Sequence, residues 1–221
     1  MKAITFSKLI APFTLAALLA TSALASTAHA QEIGTQGNFV FGVERLFGFY
    51  VDKQSVDTPV GTATTSVTDL SLGWNHAPTA LSTPRLSLDY FITEHFTIGG
   101  AFGFYTLSTD VGARGLTATG ADETGVIFVV RGGYALRLGH AFAFWPRVGL
   151  SYDTINVGGT AGDRHLLAFT LEGMFTLAPS ENWAFMVGPT VDIGIDGAVG
   201  NTDVSENCFG IMAGIVGWFG G

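Results

Sequence analysis

Between Pro84 and Tyr105 the chain reads PRLSLDYFITEHFTIGGAFGFY, and this stretch separates the possible architectures. Leu86, Leu88, Tyr90 and Ile92 alternate with Arg85, Ser87 and Asp89. After the polar break Thr93-Glu94-His95 the rhythm resumes, with Phe96, Ile98, Phe102 and Phe104 set against Thr97, Gly99, Ala101, Gly103 and Tyr105. A period of two places successive side chains on opposite faces of a β-strand. A connection this short makes the two strands an antiparallel hairpin.

The pattern repeats in both directions. Residues 38–51 put Phe39, Phe41, Val43, Phe47, Phe49 and Val51 on one face, opposite Asn38, Gly42, Glu44 and Gly48. Residues 125–138, 142–153, 166–177, 183–196 and 208–219 do the same, which gives eight alternating segments. Each is about as long as the 9 to 11 residues a tilted strand needs to cross a bilayer, or a little longer. The connections alternate too. Thr93 to His95, Gly139 to Ala141 and Ala178 to Asn182 are short, whereas 53–83, 108–124, 154–165 and 197–207 are long. Tight turns at one end and long polar loops at the other are the pattern of an outer-membrane barrel, with turns on the periplasmic side.

The chemistry of the two faces selects lipid over water. One face carries Phe, Leu, Val and Ile with almost no Lys or Glu, an aggregation liability for a soluble barrel. The other is built from Gly, Ala, Ser and Thr with a few charges, which suits a narrow lumen. Closure follows, because an open sheet edge in hydrocarbon leaves unpaired N–H and C=O groups. The predicted fold is therefore all-β, an eight-stranded antiparallel up-and-down transmembrane β-barrel over 31–221. Aromatic girdles are expected from Tyr90, Phe96, Phe142, Phe144, Phe175, Trp183 and Phe219 near the turns, and from Phe49, Phe104, Tyr152 and Phe209 near the loops. Pro146 and Pro189 each remove a ladder donor and predict bulges or gaps. Simple alternation points Arg45 at lipid, where a midplane Arg costs about 2 to 4 kcal/mol. A bulge near Glu44 and Arg45, turning the guanidinium inward or towards an interface, is predicted instead.

Composition agrees. The 221 residues are 48% hydrophobic and 13% charged, with 30 Gly and a single Cys, which excludes a disordered acidic tail, a disulfide scaffold and a collagen repeat. Mean hydropathy is +0.40, yet beyond residue 30 no run approaches the roughly 18 to 20 apolar residues of a spanning helix. Residues 1–30 read as a secretory signal peptide: Lys2 and Lys8, an apolar stretch from Leu9 to Leu19, and Ala28-His29-Ala30 before Gln31. Its removal takes two lysines and moves the formal net charge from −8 to −10. That balance argues against nucleic acid, whose phosphates demand a basic footprint.

The run from Pro84 to Gly100 resembles the strand-turn-strand of small bacterial outer-membrane barrel proteins, in which an Asp-Tyr-Phe end meets a polar turn and an apolar-x-Gly start. The closing Gly217-Trp218-Phe219 is similar to their last strand, although here Gly220-Gly221 follows the aromatic. The resemblance implies a monomeric barrel of the OmpA or OmpX type, located in the outer membrane. Its implied partners are outer-membrane lipid and, during biogenesis, periplasmic chaperones and the barrel assembly machinery. Members of that group are structural proteins, adhesins, narrow channels and occasionally enzymes.

The face opposite lipid carries Glu44, Arg85, Asp89, Arg131, Arg137, Arg147, Glu172 and Asp192, four acids and four bases. Arg147 and Glu172 are each five residues from their shared turn end and should lie at one level, as should Glu44 and Arg85. In a narrow lumen such charges are expected to pair and plug the bore, giving a barrel with a structural or surface-interaction role; a narrow pore for ions or small solutes is the alternative. Catalysis has weaker support. His165 with Asp163 and Ser151 or Ser205 could compose a base and a nucleophile, but no spacing ties them together. His76, His95 and His140 fall in loops or turns. The loop acids Asp110, Asp122, Glu123, Asp163, Asp203 and Glu206 lack the spacing of a calcium loop. A lipid-modifying or proteolytic enzyme is a second alternative, and no catalytic residue, cofactor or metal is assigned. In the long first loop, Val67 to Trp74 reads as an extra strand above the membrane or as a mobile loop. The chain is expected in the membrane fraction with heat-modifiable gel mobility; recovery in the soluble fraction would overturn the barrel.

Overall fold

The computed structural model describes residues 33–58, 61–75, 81–108, 111–113, 116–118, 122–139, 141–157 and 163–220. The expected signal peptide, together with His76, Asp110 and His140, lies outside them. The strands are β1 (Asn38–Thr58), β2 (Gly61–Leu72), β3 (Arg85–Phe91), β4 (Phe96–Ser108), β5 (Val111–Ala113), β6 (Leu116–Ala118), β7 (Asp122–Tyr134), β8 (Leu136–Arg137), β9 (Phe142–Val157), β10 (Arg164–Ser180), β11 (Trp183–Val199) and β12 (Thr202–Gly220). A single 3-10 turn, Gly73–Asn75, follows β2.

Neighbours pair antiparallel in the order β1, β3, β4, β7, β9, β10, β11, β12, and β12 returns to β1 from Asn38↔Gly220 to Val56↔Val204. Eight strands of the described residues thus close a barrel. Two further strands join it: β2 pairs with the upper part of β1, and β8 continues the line of β7. The small β5–β6 pair stands apart from this sheet. Outward positions are the predicted apolar ones, with Phe47, Phe49, Leu88, Ile98, Phe104, Phe128, Leu150, Phe185 and Ile211 all exposed.

Three expectations need adjustment. Most connections predicted as long are shorter, because the strands run on beyond the apolar belt. The segment 197–207 is a hairpin closed at Val199↔Thr202, with Gly200 at φ 58° in the turn. Residues 53–83 contain the upper part of β1 and all of β2, so of the two readings of Val67 to Trp74 the extra strand is the one found, from Gly61 to Leu72. The segment 125–138 is broken at Ala135, between β7 and β8.

That break has a cause. Pro146 lies opposite it, between Gly133↔Arg147 and Leu136↔Phe144, and on its other side Pro146 keeps its place against Gly173. Pro189 likewise keeps its partner Ile211, but the β10–β11 ladder is interrupted between Glu172↔Thr190 and Phe175↔Val187. A proline has no amide proton to give, so each interrupts the ladder on one side only.

The predicted bulge is present in β1. From Val43 to Phe47 the chain advances four positions while β12 advances two, from Ile215 to Ala213. Arg45 adopts φ 56° there, and its side chain is fully buried inside the barrel. Two extra residues preserve the parity of the strand, so Phe47 and Phe49 stay on the lipid face with Phe39 and Phe41.

Inside, the periplasmic half is an apolar core. Val40, Phe91, Trp145, Met174, Met186, Met212, Val216 and Trp218 are buried together, with Ile33 from the segment before β1. Phe91 stacks on Trp145 with ring centroids 5.9 Å apart. Small residues elsewhere let backbones approach. A Cβ at Gly149 would collide with the Val130 carbonyl oxygen and with Arg131. Gly149→Val is therefore expected to cost about 1 to 3 kcal/mol by overpacking, read as a lower temperature for the heat-induced mobility shift.

Candidate functional site in the charged lumen

Above the apolar core the barrel holds a layer of ionised side chains, each supplied by an inward strand position. β1 gives Glu44 and, through its bulge, Arg45; β3 gives Arg85 and Asp89; β7 gives Arg131; β9 gives Arg147; β10 gives Glu172; β11 gives Asp192. All are buried. Glu44 accepts from Arg131 Nη1 at 2.6 Å, Arg131 Nη2 at 2.7 Å and Arg147 Nη1 at 2.6 Å. Arg131 also donates from Nε to Asp89 at 3.0 Å, and its Nη2 reaches the second Asp89 oxygen. Glu172 lies 2.8 Å from Arg147 Nη2, 3.5 Å from Arg131 Nη1 and 3.6 Å from Arg45 Nη2.

Arg45 closes the other side of the layer. Its Nη1 donates to Asp192 Oδ2 at 2.9 Å and its Nη2 to Thr190 Oγ1 at 3.0 Å, while Thr170 donates to Asp192 Oδ1 at 2.7 Å. Arg45 Nη1 also bonds the carbonyl of Leu81, which accepts from Arg85 Nη2 at 3.0 Å as well. Leu81, Ser82 and Thr83, which precede β3, are buried. The Arg147 guanidinium sits 4.9 Å over the Trp145 ring, joining the charged layer to the apolar one beneath.

The register expectations hold for Arg147 opposite Glu172 and for Glu44 opposite Arg85. Position and pairing differ, however. Glu44 binds Arg131 and Arg147 across the lumen, and Arg85 has no carboxylate within ion-pair distance among the described residues. Arg137 is corrected out of the layer: it lies at the turn end, donating to the carbonyls of Ile33 at 3.2 Å and Gly34 at 2.8 Å. Arg45 takes its place, so the layer remains four acids against four bases. Strict alternation points Arg45 at lipid, and the predicted bulge brings it inside. Trp145, Met174 and Met186 were missed, although each occupies an inward position by parity.

The residues weighed for catalysis are not brought together. His165 and Ser205 face outward and are exposed, whereas Ser151 is buried in the lumen, bonded to the Ala168 carbonyl and to Thr170. Glu206, expected in a loop, is buried at the mouth and paired with Arg164. No group of three or more His, Cys, Asp or Glu side chains among the described residues could hold a metal ion.

No described protein family and no curated relative matches the sequence. Solved structures do match. Neisserial surface protein A superposes with a TM-score of 0.50 at 13% identity, covering 82% of this chain and 99% of that one. This chain has the fold of the small outer-membrane β-barrels. The outer membrane protein OprG from Pseudomonas aeruginosa (TM-score 0.48, 13% identity, 86% and 100% covered) and Ail, the attachment invasion locus protein of Yersinia pestis (0.45, 12%, 84% and 100%), are also similar. At such identities the likeness concerns the fold, and the role must be argued from the barrel's own residues.

Removing one member of a buried, multiply bonded ion cluster leaves its partners uncompensated and typically costs about 3 to 5 kcal/mol. Glu44→Ala strands parts of both Arg131 and Arg147 and is expected in that range, with Glu44→Gln less damaging. Denaturant unfolding of the lipid-reconstituted barrel measures both.

Proposed function

We propose that this barrel has no catalytic role, does not conduct along its axis and acts by contact at the cell surface. The observation that carries this reading is the hairpin of β1 and β2. It is paired from Phe47↔Leu72 to Thr58↔Gly61, and residues 61–68 of β2 are exposed on both faces. Outward residues there are no longer apolar: Thr62, Thr64, Ser66 and Thr68 follow Leu72 and Leu70 up the strand. The hairpin thus leaves the lipid belt and stands in water. Among the described residues β2 pairs with β1 alone, so its far edge offers backbone donors and acceptors to an added strand. No Lys or Pro blunts that edge between Gly61 and Leu72.

The interior supports the same reading. A path down the axis would have to pass the eight-residue charged layer and then the apolar core around Trp145 and Met174. A layer of four acids and four bases, most of them paired with one another, gives a permeant ion no ring of a single charge sign. On this reading the protein works as a monomer in outer-membrane lipid, handed there by periplasmic chaperones and the assembly machinery.

In planar bilayers the purified barrel is expected to show no steady, well-defined openings; openings that change with Arg147→Ala would sink the plugged-lumen reading. For the surface role, cells displaying the protein are tested for binding to a panel of extracellular proteins. Thr65→Pro, which breaks β2 without touching the barrel, is expected to abolish any binding while leaving heat-modifiable mobility intact. Binding unaffected by it would remove the hairpin from the role.

A further inference from the structure

The lipid-facing wall is not smooth. Where the two prolines interrupt the ladders, a groove of about 620 Å³ opens across β7, β9, β10 and β11. Its bed is Gly132, Pro146, Gly173 and Pro189, four outward positions at which no long side chain stands. The sequence origin is direct. Gly173 faces Pro146 in the β9–β10 register, and a Cβ at Gly173 would lie 3.4 Å from Pro189 Cγ. Three strands thus place their smallest or most compact residues side by side. Phe96 and Tyr134, in edge contact at 4.8 Å, line it on β4 and β7 at their turn ends, and Val148, Leu171 and Val191 line it towards the middle of the belt.

The wall behind the groove is thin. Arg147 and Glu172, members of the charged layer, line it together with Thr97, although all three belong to the inward face. Arg147 is 3% exposed, and its Nε–H has no acceptor. Charge and an unsatisfied donor therefore lie directly behind a wall of glycine and proline. Hydrocarbon packed loosely against such a spot admits water to the charges, the usual response of a bilayer to a polar group at this depth.

We infer that this groove is a binding site for one acyl chain of a phospholipid from the periplasm-facing leaflet. The chain lies from the turn-side aromatics towards the middle of the belt and seals the ion cluster from water. Three features select this occupant. The groove is continuous with the lipid-facing belt, so hydrocarbon reaches it without desolvation. Its lining is almost wholly apolar. It starts at the turn-side girdle, where the leaflet's chains begin, and crosses the strands towards the middle of the belt. The alternating wall elsewhere carries Phe, Leu and Ile, which give lipid a ridged surface.

The test uses the full-length barrel purified in mild detergent and analysed by native mass spectrometry after addition of a phosphatidylethanolamine of defined chain length. The wild type is expected to retain one lipid through collisional activation that strips the others. Gly173→Leu, which fills the bed, is expected to lose that lipid, and its heat-conversion temperature should no longer rise when the phospholipid is added. Because Gly173→Leu could hinder folding, Gly132→Leu is the second variant, at a position where a Cβ meets only the Thr97 carbonyl at 3.6 Å. Retention of the same lipid by folded filled variants, or the absence of a retained lipid in the wild type, means unselective annular lipid only and overturns the site.

Discussion

A bilayer core offers a backbone amide no partner, so each N–H and C=O in the belt must find one within the protein. Everything else in this molecule follows from that constraint. Closure of β1 onto β12 removes the edges that eight alternating strands would otherwise expose to hydrocarbon. Closure in turn creates an interior only wide enough for side chains. What a soluble protein would leave to solvent, the inward residues must settle among themselves. Most of the apolar content sits outside, facing lipid; inside, one apolar layer lies near the turns and Tyr50, Ile127, Leu166 and Cys208 are buried towards the loops.

The charged layer illustrates the consequence. Four acids and four bases in a cavity without bulk water are tolerable only if each carboxylate is met by guanidinium groups at hydrogen-bond distance. The β1 bulge makes this possible. Without the two extra residues between Val43 and Phe47, Arg45 would face lipid, and Asp192 and Thr190 would lose their partner. Backbone at φ 56°, unfavourable for an arginine, is held in place by Asp192, Thr190 and the Leu81 carbonyl together. The same carbonyl draws the segment before β3 inward, so one local distortion fixes both a charge and a chain path.

Much of this was legible in the sequence. The period of two, the hydrophobic face and the short turns at Thr93 to His95 and Ala178 to Asn182 determined strand number, facing and closure, because these depend on local pattern and on a solvent that permits few alternatives. The opposition of Glu172 to Arg147 followed from counting residues to a shared turn. Pairing across the lumen did not follow, because it depends on barrel shear and side-chain reach; Glu44 sits opposite Arg85 yet bonds Arg131 and Arg147. Arg137 was misplaced for a related reason. The ladder break opposite Pro146 releases the strand end, and its guanidinium turns to the Ile33 and Gly34 carbonyls. Loop lengths were overestimated because alternation was read through its apolar members. Above the belt both faces become polar, as from Thr62 to Thr68, and the period can no longer be seen although the strand continues.

The constraint that forces closure also says where it can lapse. β3 ends at Arg85, and its ladder to β4 stops at Leu86↔Phe102, while β4 runs on to Ser108 paired only with β7 among the described residues. Above that point the place beside β1 passes to β2, which does not pair with β4. Apart from the gaps at Pro146 and Pro189, the wall is therefore zipped through the lower belt and unzipped towards the rim, where water can satisfy an amide as well as a neighbouring strand does. A hairpin that need not close the barrel is free to present its edge. The surface role proposed for β2 and the filled interior below it are thus two outcomes of one rule, applied on either side of the membrane boundary.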